Sequence, residues 1–139
     1  MTLAIEEFIW PVRVYYEDTD SAGIVYHASY LRFMERARTE WLRHLGFDLP
    51  DLETRYRVVF TVSRMRIDFF RPARFNDMLD VTLRPTRMGR ASFQLEQLVL
   101  RAGGETLCRA DVRIACVHAS SLRPCPIPDP VCMELQRDR

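Results

Sequence analysis

An α+β fold, one antiparallel sheet against a single long helix, is what this sequence predicts, on three observations. Only one stretch, Tyr30 to Leu45, repeats apolar residues at three- and four-residue spacing over several turns. Several other stretches alternate apolar and polar residues with period two, and turns bearing glycine or proline separate them. The chain has 139 residues, the size of one ordinary domain, so helix and strands are expected to share one core.

The elements follow in chain order. A first strand is expected over Phe8 to Tyr16, where Val12, Val14 and Tyr16 alternate with Arg13 and Tyr15. Pro11 removes a ladder donor and points to a sheet edge or a bend. Past a small-residue bend at Asp18 to Gly23, the helix carries Tyr30, Phe33, Met34, Ala37, Trp41 and Leu45 on one side. Arg32, Glu35, Arg36, Thr39 and Arg43 lie on the other. Gly46, able to take positive φ, followed by the apolar Phe47, reads as its stop. Arg38 sits inside the apolar half, and a buried guanidinium requires a carboxylate or carbonyl partner.

Arg57 to Phe70 alternates again and stops at Arg71-Pro72. Leu79, Val81 and Leu83 mark a further strand, and Gly89 separates it from Ser92 to Arg101. Gly103-Gly104 then forms a hairpin turn into Thr106 to His118. Prolines crowd residues 123–130, so the chain from 123 to 139 is expected to be an extended tail, with room for one short terminal turn. A lone helix must bury its stripe against one face of the sheet.

Composition excludes several functions. The net charge of +1 offers no long-range attraction for nucleic acid or an anionic membrane, although all 20 basic residues are Arg. No run approaches the roughly 20 apolar residues that span a bilayer, and Met1 to Glu7 lacks the basic start of a secretion signal, so the expected location is cytoplasmic. The four cysteines have no Cys-x-x-Cys spacing and are expected to be reduced thiols. His27, His44 and His118 share no metal-ligand spacing, and no metal or cofactor is expected. A Gly-x-Ser-x-Gly elbow, a Walker loop and a dinucleotide glycine fingerprint are all missing.

Residues 15–30, Tyr-Tyr-Glu-Asp-Thr-Asp-Ser-Ala-Gly-Ile-Val-Tyr-His-Ala-Ser-Tyr, place carboxylates and a histidine around the bend that leads into the helix. A carboxylate can activate water or attack a carbonyl, and free N–H groups at a helix N-terminus can hold a developing oxyanion. Asp in such a bend also bonds nearby backbone N–H groups, and Asp18 and Glu17 read as structural in that sense. Gly23 permits positive φ and close approach of a ligand.

The segments Trp10 to Asp20, Val25 to Tyr30, Glu35 to Glu40, Arg71 to Leu79 and Ala110 to Arg113 resemble, in order, the YbgC-type branch of the 4-hydroxybenzoyl-CoA thioesterase family. The resemblance implies a hotdog fold over residues 1–139, the sheet wrapping the helix, and a homodimer or homotetramer whose edge strands pair across a two-fold axis. It implies an acyl-CoA thioester hydrolase with Asp20 as the catalytic carboxylate and His27 presenting its backbone N–H to the thioester oxygen. Gly23 and Tyr26 are the candidate substrate neighbours, joined by Glu35 from its place two helical turns beyond His27, where an exposed structural charge is the competing reading; Arg87 and Arg90, flanking Gly89, are the implied contacts to CoA phosphate. Arg71, Arg74 and Arg123 are weaker candidates for that contact. His27-Ala-Ser-Tyr30 departs from the Tyr-Pro-Asn-Tyr of the 4-hydroxybenzoyl enzymes, which favours an aliphatic acyl group. The branch also admits an acyl carrier protein as substrate or partner. The alternative is a non-enzymatic scaffold that binds acyl thioesters in connection with phospholipid synthesis or the Tol-Pal system.

Overall fold

The computed structural model describes residues 7–137; the reading of Met1 to Glu7 as lacking a secretion signal lies, but for Glu7, outside the described residues. Five strands form one antiparallel sheet in the order β1-β3-β4-β5-β2: β1 Phe8–Arg13, β2 Val58–Phe69, β3 Met78–Met88, β4 Ser92–Arg101 and β5 Thr106–His118. Between β1 and β2 run α1, His27–His44, and α2, Leu49–Tyr56; α3, Asp129–Leu135, closes the described chain. This is the hotdog architecture, an antiparallel sheet against one long helix.

The helix α1 is longer at its start than periodicity indicated, because polar His27 and Ser29 occupy its first turn. Its buried face comprises Ser29, Tyr30, Phe33, Met34, Ala37, Trp41 and Leu42, a stripe at three- and four-residue spacing. These meet Leu79, Val81 and Leu83 of β3 and Phe93, Leu95 and Val99 of β4 in one buried cluster. Gly46 ends the helix at φ +98°, and Phe47 donates back to the Leu42 carbonyl at 2.8 Å, as its sequence predicts. Arg38 finds the carbonyl acceptor that its burial requires in the Gln97 side chain, whose Oε1 accepts at 3.0 Å. Gln97 is fully buried and donates in turn to the Met34 carbonyl at 3.1 Å, tying β4 to mid-helix.

Three local expectations change. The first strand stops at Arg13, and Tyr16–Asp18 wind into a single 3-10 turn, because the Asp18 carboxylate accepts the Tyr15 N–H at 2.8 Å and pulls the chain round. Helix α2 carried no strong signal: its eight residues bury only Leu52. The tail, expected to be extended, is so only to Pro128; α3 then buries Val131 and Leu135, apolar residues that the proline count concealed. Pro11 sits on edge strand β1, where its missing N–H costs no ladder bond that a central strand would need.

All four cysteines are free thiols. Burial pushes the Cys108 and Cys116 thiols up to about 12, and Cys116 Sγ lies 3.7 Å from Cys125 Sγ. Among the described residues no helix is long and apolar enough to cross a membrane.

Candidate active site

The chain between β1 and α1 is pinned on three sides. Thr19 pairs with Val25, the Asp20 N–H donates to the Ile24 carbonyl at 2.9 Å, and the Gly23 N–H donates to the Asp20 carbonyl at 3.0 Å. Ile24 pairs in turn with Arg74, and the Val25 N–H donates to the Ala73 carbonyl at 2.9 Å, which fastens the bend to the segment after β2. Buried Asp18 anchors its base: its carbonyl accepts from the Tyr26 N–H at 2.9 Å and from the Ser29 hydroxyl at 3.1 Å. Asp18 is thus the structural residue its position suggested.

Gly23 takes φ +79° with no protein atom within 4 Å of where a Cβ would stand. The backbone angle, and not crowding, is what requires glycine. A Gly23→Ala substitution is expected to cost about 1–2 kcal/mol, and to lower turnover by displacing Asp20; denaturant melts and initial rates on one preparation check both.

Asp20 is exposed at the mouth of a cleft. Its Oδ1 accepts the Ala22 N–H at 2.8 Å, and among the described residues Oδ2 accepts no hydrogen bond. The carboxylate therefore has a turn-forming oxygen and an open one. His27 is the first residue of α1, and Tyr26 caps the helix without a side-chain bond. Ser29 N–H turns back to the Tyr26 carbonyl at 2.8 Å, whereas the His27 and Ala28 N–H groups find no partner among the described residues. Such orphan donors carry the positive end of the helix dipole. The imidazole of His27 packs against the rings of Tyr26 and Phe69, at centroid distances of 4.4 and 6.4 Å.

The cleft, of about 290 Å³, is lined by Asp20, Ile24, Val25, His27 and Tyr30 on the bend and helix, and by Phe69 to Pro72 beyond β2. Burial raises the pKa of the Tyr30 phenol, whose oxygen accepts the Ala73 N–H at 3.0 Å; it is a strut joining the two walls. Asp20 and His27 are therefore brought together. Gly23 and Tyr26 shape the bend but do not line the cleft. Phe69, Phe70 and Pro72 were not singled out, although the strand stop at Arg71-Pro72 was visible; only the fold folds that stop over the helix start. Arg71, named as a weaker candidate, does line it.

The remaining candidates lie elsewhere within one chain. Glu35 is two turns along α1, about 12 Å on at 1.5 Å per residue. It borders a second cavity, of about 100 Å³, with Arg38, Trp41, Phe60 and Phe93, and its carboxylate accepts the Thr39 hydroxyl at 3.2 Å. Arg87 and Arg90 are exposed at the far end of β3. Met78 pairs with Arg13 beside the bend, so nine further residues put Arg87 about 30 Å away. The spacing along one strand rules out a shared site within one protomer.

The profile of the thioesterase-like superfamily matches residues 14–135. The acyl-CoA thioester hydrolase YbgC of Escherichia coli O6:H1 is 42% identical over 130 residues, covering 94% of this chain and 96% of that protein. A 1,4-dihydroxy-2-naphthoyl-CoA hydrolase of Thermosynechococcus vestitus is 33% identical over 118 residues, covering 85% and 81%. The crystal structure of a probable thioesterase from Bartonella henselae superposes with a TM-score of 0.85 at 37% identity, over 88% of this chain and all of that one. The chain belongs to the thioesterase-like superfamily, in its YbgC-type branch of acyl-CoA thioester hydrolases.

Proposed function

We propose that the protein hydrolyses the thioester of aliphatic acyl-CoA, with Asp20 as base or nucleophile and the start of α1 as the oxyanion site. The observation that carries this reading is the joint presence, on one cleft, of Asp20, with a carboxylate oxygen that has no partner among the described residues, and of His27, whose helix N–H is likewise unpaired among them. The carbonyl oxygen of a bound thioester takes the His27 N–H, where the helix dipole favours the charge that develops on it. Asp20, working through Oδ2, then either takes a proton from the attacking water or adds to the carbonyl carbon to give a mixed anhydride that water opens. The thiolate leaves unprotonated in both routes. The acyl group lies against Ile24, Val25, Phe69 and Phe70, an apolar wall that suits a saturated chain.

A second copy completes the site in this reading. Edge strand β2 is twelve residues long and exposes Val62 and Phe69, whereas the other edge, β1, carries Pro11. Two β2 strands pairing antiparallel across a two-fold axis bring the Gly89 turn of the second copy to the sheet end that carries Asp20. Arg87 and Arg90 of that copy then stand where the nucleotide of CoA emerges.

The test is thiol release from short, medium and long acyl-CoA and from aroyl-CoA substrates. Turnover highest on an aliphatic member is expected. Aroyl-CoA as the best substrate overturns the acyl preference, and no release from any member favours the acyl-thioester-binding scaffold. Whether an acyl carrier protein can replace CoA is read by adding its acyl form to the same panel.

A further inference from the structure

Cys116 and Cys125 are brought together where the chain folds back after β5. The Leu122 N–H donates to the His118 carbonyl at 2.9 Å to close the turn, and Pro124 then pairs antiparallel with Val117. Next to that pair, the His118 N–H donates to the Arg123 carbonyl at 2.9 Å and the Cys125 N–H to the Cys116 carbonyl at 3.0 Å. Cys116 and Cys125 are therefore direct cross-strand partners, and an antiparallel pair bonded in this way holds its Cα atoms about 5.5 Å apart. Disulfides accept roughly 4.4–6.8 Å. Both side chains are buried, and their sulfurs stand 3.7 Å apart.

The same segment holds neighbouring structure in place. The Cys116 N–H donates to the Ala91 carbonyl at 2.8 Å and the Ile127 N–H to the Arg90 carbonyl at 2.9 Å, so β5 and the tail together clasp the turn between β3 and β4. From there the chain enters α3, which buries Val131 and Leu135 in the core. The fastening is thin. It consists of one isolated bridge and a turn that keeps the exposed Leu122 at φ +61°, a region that a bulky side chain resists.

We propose that Cys116 and Cys125 form a disulfide under oxidising conditions, a staple that locks the tail and α3 onto β5. The resting form is the pair of free thiols, and a small soluble disulfide such as oxidised glutathione is the oxidant. The Cys125 thiolate, on the segment that lifts, attacks one sulfur of the reagent and releases one glutathione. The Cys116 thiolate then attacks the Cys125 sulfur of the mixed disulfide and releases the second. One S–S bond breaks and one forms, both cysteine protons end on glutathione, and the reagent takes up two electrons. Burial pushes the Cys116 thiol up to about 12, so thiolate is scarce and the exchange waits for local opening of the tail. The same burial shelters the finished bond from reductants. Cys108, eight residues back along β5, is about 26 Å from Cys116 and takes no part.

Incubation of the full chain with oxidised glutathione, in urea below the unfolding transition so that the tail opens, tests the staple on wild type, Cys125→Ala and Cys132→Ala. Remaining thiols are alkylated in denaturant and counted by mass. Wild type and Cys132→Ala should each lose two thiols, with the Cys116 and Cys125 peptides joined after chymotryptic cleavage at Leu122. Cys125→Ala should form no internal disulfide, and a cooperative melt shows that it folds. Oxidised wild type, returned to buffer, should melt roughly 5–10 °C above the reduced form, because the bond closes a loop of about ten residues in the unfolded chain. A bond to Cys108 or Cys132, retention of all four thiols, or an oxidised form that melts no higher than the reduced one overturns the proposal. No readout involves a thioester, so each result is independent of the function proposed above.

Discussion

Asp20→Asn is expected to lower kcat by roughly a hundredfold or more while leaving the melting temperature within a degree or two, because it removes the charge and keeps the shape. The amide oxygen can still accept the Ala22 N–H that the carboxylate accepts at 2.8 Å, so the bend survives. What disappears is the basicity of the second oxygen. His27→Ala is the informative companion. The proposed role of residue 27 is its backbone N–H, which alanine retains, so the loss should be far smaller than for Asp20→Asn, and the comparison is made on initial rates with the best substrate of the panel. Equal rates in Asp20→Asn and wild type would remove Asp20 from the reaction. A collapse in His27→Ala matching that in Asp20→Asn would move the chemistry to the imidazole.

Phe33→Ala should carry the largest effect on stability, about 3–5 kcal/mol, out of the roughly 5–15 kcal/mol that holds a domain together. Phe33 is fully buried on α1, its ring meets Tyr30 edge-on at 6.1 Å, and the Arg36 guanidinium sits 5.9 Å from its centroid. Removing the ring leaves a void that strands β3 and β4 cannot close without breaking their ladders. Urea unfolding with an unchanged slope and a much lower midpoint is the expected result. A shift below 1 kcal/mol would mean that the core around mid-helix relaxes into the space.

The cleft that holds Asp20 is affected by the same substitution. Tyr30 is a turn away and its hydroxyl braces the Ala73 N–H at 3.0 Å, so loosening Phe33 frees one wall of the Asp20 cleft. Turnover in Phe33→Ala should therefore fall at temperatures where the protein is still folded, which a rate measured well below its melting point detects.

Local periodicity was enough to read β4 and β5 to the residue, because each residue's face is decided by its neighbours two positions away. The helix stripe, the Gly46 stop and the edge position of Pro11 were legible for the same reason. The start of α1 was not: His27 and Ser29 are polar, and they are helical because the Asp18 carbonyl and the bend hold them there. Helix α3 was hidden by prolines whose tolerated place is a helix's first turn.

The site divides along the same line. Asp20 and His27 lie seven residues apart, so a motif could identify them and their contiguous chain could bring them together. The opposite wall, Phe69 to Pro72, comes from more than forty residues further on and reaches the cleft only through the strand order β1-β3-β4-β5-β2. The same order sends Arg87 and Arg90 to the far sheet end, which their nearness to glycine could not foretell. Short-range sterics and periodicity wrote the elements and the candidate motif at Asp20 and His27 into the sequence; the long-range pairing that closes the sheet decided which distant residues face them.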